Sequence, residues 1–343
     1  MRMLPLLGHF GLASDPLRSS LAGAPCRRTA SVPWLLGIVL LTLSISGCGL
    51  FGGGGGGGGT GGGGGTTFTF QKGFAFVRKD DRNVYLVDES DVQTTTTLTQ
   101  SANVRTPSFS ADGKQVVFVR GAGMDAEIAL VPTAGGIIKT VISTSGLFRG
   151  FKTPVFSPDG TQVAFTIDDG VSTNTGLINA DGTGARVLAS GGLWQASPSF
   201  TPDGTAVIVA AGNALGYTQI EKITLATNAV TNVTNVLGNE ARGIANRLLV
   251  SPDGTKAVFD GPVSTGELRL FVIDLGSKVT TMLYAGELGT NDTFPCWMGN
   301  GAVAFSSDSG GNDNVYKATL PSSTSVSLLV PKAIEPWYVV TSM

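Results

Sequence analysis

Thr153-Pro154-Val155-Phe156-Ser157-Pro158-Asp159-Gly160 decides the architecture, because the octapeptide returns along the chain. It recurs as Thr-Pro-Ser-Phe-Ser-Ala-Asp-Gly at 106–113, Ser-Pro-Ser-Phe-Thr-Pro-Asp-Gly at 197–204 and Arg-Leu-Leu-Val-Ser-Pro-Asp-Gly at 247–254. A degenerate fifth copy, Phe-Pro-Cys-Trp-Met-Gly-Asn-Gly, occupies 294–301. Proline suits the start of a strand, where a missing N–H is tolerated. The large residue two positions on is placed for a core. Asp-Gly supplies a hairpin turn, with Gly at positive φ and Asp bonding nearby amides.

An apolar run follows each turn: Val116-Val117-Phe118-Val119, Val163-Ala164-Phe165, Val207-Ile208-Val209, Ala257-Val258-Phe259 and Ala302-Val303-Ala304-Phe305. Third strands read as Asn83 to Asp88, Leu268 to Asp274 and Asn314 to Tyr316. Thr/Val-rich fourth strands read as Thr94 to Leu98, Lys139 to Ile142 and Val279 to Leu283. Four strands per period of about 40–50 residues is a β-propeller blade. The ends set the blade count. Phe74-Ala75-Phe76-Val77 matches a second strand with no first strand before it. Glu335-Pro336-Trp337-Tyr338-Val339-Val340 matches a first strand with nothing after it. The expectation is all-β: a six-bladed propeller over 68–343, its first blade closed by the C-terminal strand so that no blade edge stays open.

The pattern Pro-x-Phe-Ser-Pro-Asp-Gly, followed by an apolar strand ending in Phe, resembles the TolB-type (WD40-like) propeller repeat. Phe305 to Tyr316 carries its fuller form. The resemblance covers roughly 73–343 and implies the fold far more specifically than the function. Only a glycine tether precedes the repeats here, where TolB has an α/β domain.

Arg27 and Arg28 precede the apolar run Trp34 to Leu43, which is too short for the roughly 20 residues of a spanning helix and ends in Ile45-Ser46-Gly47-Cys48. This resembles a lipoprotein signal peptide over 1–47, and the resemblance makes Cys48 the lipidation site. Two acyl chains give a stable anchor where one is marginal. Residues 52–65 are glycine except Thr60, so 48–67 read as a lipidated, flexible tether with a reach on the order of 20 Å. The chain is expected to be a monomer in the bacterial cell envelope, attached to the outer membrane or cell surface through its N-terminal lipid.

Charge and composition exclude several functions. Residues 1–47 hold four Arg and one Asp, which leaves the remainder of a chain of net charge −2 distinctly acidic. No basic stripe suits nucleic acid, which needs clustered Lys and Arg. The one histidine, His9, precedes Cys48, so the body lacks a Ser-His-Asp or Cys-His arrangement and any imidazole metal ligand. Cys296, between Pro295 and Trp297 in an inner strand, reads as a buried, inert thiol. Asp112, Asp159, Asp203 and Asp253 recur at one turn position and read as turn residues. Paired glycosidase carboxylates must instead converge on one bond. The loop Asp308 to Asn314 lacks the spacing of an EF-hand. No cofactor, metal or catalytic residue is expected.

The loops entering the inner strands gather at one mouth of a propeller channel. Arg105, Lys152, Gln195, Arg247, Asp292 and Glu335 precede the inner strands and are the candidate partner-binding ring, with Arg149, Trp194 and Arg242 nearby. The resemblance implies a non-catalytic scaffold that binds an envelope protein or peptide there. The alternative is a carbohydrate-binding or carbohydrate-active propeller using channel carboxylates, with Asp292 and Glu335 as candidates.

Overall fold

A computed structural model describes residues 70, 72–100, 103–236 and 240–341. The leader, Cys48 and the poly-Gly tether lie outside the described residues. The described residues contain no α-helix, only strands and two short 3₁₀ turns, Gly123–Asp125 and Ser309–Gly311. No described helix is long and apolar enough to cross a membrane.

Six antiparallel four-stranded sheets follow one another in chain order. Five run inner to outer as the sequence does. They begin with the inner strands Val104–Phe109, Lys152–Phe156, Trp194–Phe200, Leu248–Val250 and Asp292–Trp297, which open blades two to six. The first blade has the order Ile334–Val340, Lys72–Val77, Val84–Asp88, Asp91–Thr97. Its inner strand is the C-terminal segment, paired Lys72↔Val340, Phe74↔Tyr338 and Ala75↔Trp337. The expected ring closure is therefore present.

The turns follow from their residues. Ser110, Ser157, Thr201 and Ser251 donate through Oγ to Oδ1 of Asp112, Asp159, Asp203 and Asp253 at 2.6–2.7 Å. The same Oδ1 accepts the amide two residues later, at Lys114, Thr161, Thr205 and Thr255. The following glycine has φ of 67–73° in all four copies, a region costly for any residue with a Cβ. Hydrogen bonds from Thr201 and Thr205 hold the Asp203 carboxyl down to about 2. The recurrent aspartates are thus committed to their own hairpins.

The apolar runs after the turns are buried almost completely, with Phe74, Phe118, Phe165, Phe259 and Phe305 at 0% exposure. Each such ring contributes about 1.5–3 kcal/mol. The core lies between neighbouring blades. One cluster joins blades five, six and one, and the others join successive pairs. Trp337 packs against three of these clusters, so the closing strand reaches the centre of the ring as well as its seam. Cys296 is buried and free, and burial pushes its thiol up to about 12.

The inner strands leave backbone groups facing the axis, and these need partners in the absence of a further strand. Neighbouring blades supply them. Leu248 N and Val250 N donate to Ser197 Oγ and Ser199 Oγ. Ser197 N donates to Thr166 Oγ1, and Glu335 N to Ser306 Oγ. Trp297 Nε1 donates to Leu249 O at 2.9 Å.

Candidate functional site

The residue before each inner-strand proline has a left-handed backbone: Thr106, Thr153, Ser197, Phe294 and Glu335 have φ of 45–55°. Pairing slips by one residue at these positions, from Arg105↔Val119 to Ser108↔Val117 and from Lys152↔Thr166 to Val155↔Ala164. Equivalent bulges occur in blades four, six and one. Such a conformation costs a non-glycine residue on the order of 1–3 kcal/mol and tends to mark functional positions. A bulge also re-aims side chains. Here it accompanies one wall residue from each of five blades.

The result is a cavity of about 310 Å³ at the strand starts, lined from all six blades. Thr106, Thr153, Ser197, Phe294 and Glu335 line it, with Arg105 and Lys152. Its wall includes Phe151, Thr166, Thr173, Tyr217 and Asn246. Most wall hydroxyls satisfy one another: Thr153 with Thr166 at 3.0 Å, and Thr173 with Tyr217 at 2.8 Å. A groove of about 580 Å³ lined from blades five, six and one shares Phe294 and Glu335 with this mouth.

Below the mouth the axis narrows to about 10 Å³, between Pro154, Pro198, Arg247, Leu249 and Trp337. Arg247 is 2% exposed. Its Nη1 donates to Pro336 O at 2.7 Å and Phe294 O at 3.3 Å. Its guanidinium carbon lies 5.3 and 5.4 Å from the Phe294 and Trp337 ring centres. Aromatic faces attract such a desolvated cation. A second cavity of about 310 Å³ opens at the opposite, hairpin end. It is lined by Phe109, Phe156, Phe200, Trp297, Trp337 and Tyr338. The two cavities share no lining residue.

The structure divides the predicted ring. Arg105, Lys152 and Glu335 line the mouth. Gln195, Arg247 and Asp292 do not, and this corrects the expectation. Gln195 and Asp292 are 0% exposed because, upstream of the bulge, their side chains turn toward third-strand residues instead of the axis. Gln195 Nε2 donates to Glu221 Oε2 at 3.0 Å and Ala189 O at 3.2 Å. Asp292 Oδ2 lies 3.8 Å from Arg269 Nη1, and neither of its oxygens meets a donor at hydrogen-bonding geometry. Burial pushes its carboxyl up to about 6. Arg247 is on the axis but belongs to the plug. Nearby Arg149 and Arg242 are exposed and Trp194 half-buried.

Glu335 is the one predicted carboxylate on the mouth wall. It is 5% exposed. It accepts Thr106 N on one oxygen and Arg82 Nη1, at 3.4 Å, on the other. Burial raises its carboxyl above the usual range, opposed by the Thr106 amide and by Arg247, Arg82 and Arg105. Lys152 Nζ meets Asp168 Oδ2 at 2.6 Å, and Arg105 Nη2 donates to Gly121 O at 2.9 Å. Among the described residues no group of three or more His, Cys, Asp or Glu side chains is arranged to hold a metal. Sequence reasoning missed Thr106, Thr153, Ser197 and Phe294. Their signal was their shared position before proline.

The sequence profile of the TolB beta propeller domain matches residues 64–259. No curated protein matches the chain. Among solved structures, TolB from Acinetobacter baumannii is similar at 17% identity, with 79% of this chain and 67% of that chain covered and a TM-score of 0.61. A chain of a nidogen/laminin complex shares 11% identity over 79% of this chain and 100% of its own, with a TM-score of 0.61. Oligogalacturonate lyase in complex with manganese shares 19% identity over 72% and 74%, with a TM-score of 0.53. At these identities the likeness is one of fold.

Proposed function

The chain belongs to the TolB beta propeller domain family, and from that premise we propose that it is a non-catalytic scaffold receiving a protein or peptide partner at the mouth where the inner strands begin. One observation carries this reading. Six blades converge on that mouth, and five of them place a carboxylate, two threonines, a serine and a phenylalanine there on the same strained backbone: Glu335, Thr106, Thr153, Ser197 and Phe294. Four of the hairpin ends repeat one chemistry instead. A surface meant for selection needs differences from blade to blade. The cavity, closed below by Arg247 and Trp337, suits an inserted tip and gives a chain nowhere to thread. The arrangement favours binding over carboxylate catalysis, since Glu335 is on the wall and Asp292 is enclosed elsewhere.

In the same proposal the propeller is a monomer held in the bacterial envelope by lipid on Cys48. A mature N-terminus whose mass lacks the acyl groups would end the anchoring part. The mouth is tested by a photo-crosslinking residue in place of Tyr217 or Arg149, with Ile137, exposed on a turn joining third and outer strands, as the control position. Crosslinks to one envelope polypeptide at the mouth positions are expected. Equal crosslinking at Ile137 would refute the reading.

A further inference from the structure

We infer that the mouth cavity takes a carboxylate of the partner polypeptide, seated between Arg105, Lys152 and the Thr106 hydroxyl. The inference rests on the mouth being the partner site and names the chemistry it selects. The argument is an imbalance of donors and acceptors. The carboxylates around the cavity are already engaged by protein donors. Glu335 holds Thr106 N and Arg82, Asp168 holds Lys152, and Asp260 holds Asn246 Nδ2 and Arg247 N. Thr106 lines the cavity at 8% exposure, and its buried Oγ1 has no hydrogen-bond partner. The Arg105 guanidinium donates one bond, to Gly121 O, out of a five-donor fork suited to carboxylate. The missing group is an anionic acceptor.

Charge selects the same class. Arg105 and Lys152 are on the wall, Arg82 is beside Glu335, and Arg247 is directly beneath. A cationic tip would meet four positive groups and three carboxylates that protein donors already occupy. A carboxylate meets donors whose charge-assisted bonds are the stronger kind. Phe151, Phe294 and Val119 give the stem of the inserted group an apolar wall. The size admits a side chain or a chain end, and the constriction of about 10 Å³ stops anything longer.

Acidic side chains and a C-terminal carboxylate share this chemistry. Nuclear magnetic resonance titration of the mature propeller separates them. The probes are blocked glycine pentapeptides carrying one central glutamate or one central glutamine, and an amide-blocked and a free-acid glycine pentapeptide. Shifts at Tyr217 and Phe294 report the mouth. The glutamate or the free-acid probe should bind about tenfold tighter than its neutral counterpart. Arg105→Gln and Thr106→Val should each remove most of that preference at an unchanged melting temperature. Equal binding of charged and neutral probes, or a preference surviving Arg105→Gln, would overturn the carboxylate while leaving the mouth reading intact. Shifts confined to the hairpin end would sink both. A digalacturonate probe that outcompetes every peptide would also overturn the inference, in favour of an acidic sugar.

Discussion

The two ends of the inner strands obey different rules. At the hairpin end, Ser110, Ser157, Thr201 and Ser251 make one bond to one aspartate in one geometry. At the mouth end, five equivalent positions share a backbone conformation but carry a carboxylate, two threonines, a serine and a phenylalanine, and the sixth, Arg247, departs from it. Constancy at one end serves a local hairpin, which every blade needs. Variation at the other, held on strained backbone, serves whatever the ring meets. The plug of Arg247 and Trp337 between them lets each end change without reaching the other. The comparison can be broken by perturbing the plug, then the enclosed groups, then each end in turn.

Deleting Ile334–Met343 removes the inner strand of the first blade and Trp337 from three clusters at once. It should abolish the cooperative thermal transition, or lower the melting temperature by on the order of 10 °C or more. An unchanged transition would mean that the ring stands without its closure. Arg247→Ala should cost roughly 3–5 kcal/mol in urea unfolding, because buried Glu335 and Asp260 lose a compensating charge and Pro336 O and Phe294 O lose their donor. A loss below about 1 kcal/mol would show that the axis is solvated instead.

Asp292 makes the next effect pH-dependent. Its folded carboxyl is raised from 3.8 to about 6, so the native state binds the proton more readily than the unfolded chain. The resulting stability is fully present below about pH 4 and lost as pH rises through about 6. At 1.36 kcal/mol per unit, the swing is on the order of 3 kcal/mol. Asp292→Asn should flatten that part of the profile in denaturant midpoints measured from about pH 4 to 7. An unchanged slope would assign it to Asp260 or Glu335, whose carboxyls burial also raises.

The hairpin end was legible and the mouth only half so, for a physical reason. A turn is local, so Ser-Pro-Asp-Gly specifies its own hydrogen bonds within five residues, and period-two apolar runs specify their strands. The expected third strand Leu268 to Asp274 and fourth strand Lys139 to Ile142 match the observed Leu268–Asp274 and Lys139–Ile142. Where a side chain points at the mouth depends on a bulge, and one extra residue flips the face. Gln195 and Asp292, two positions before the bulge residue, therefore turn away from the axis into the blades, whereas Arg105 and Lys152, one position before it, line the wall. In the fifth blade Leu248 replaces the proline, Arg247 has no left-handed φ, and the largest cation fills the axis.

The smallest stability effects give the sharpest test of the comparison. Asp159→Ala removes a turn acceptor and should cost about 1 kcal/mol, nearly additively with Asp203→Ala at a distant turn. Partner capture should be unaffected. Arg105→Gln with Lys152→Gln should do the reverse. Lys152 is 57% exposed in its ion pair with Asp168, and such pairs contribute at most about 1 kcal/mol, so stability should shift by about 0.5 kcal/mol or less. Capture of the crosslinked partner should fall about tenfold and depend less on salt, since rim charges act through screened attraction. Stability lost at the turn without binding, and binding lost at the mouth without stability, is the double dissociation that a division of labour between the two ends requires. Any variant that lost both in proportion would mean the ends are one cooperative unit, and the plug no barrier between them.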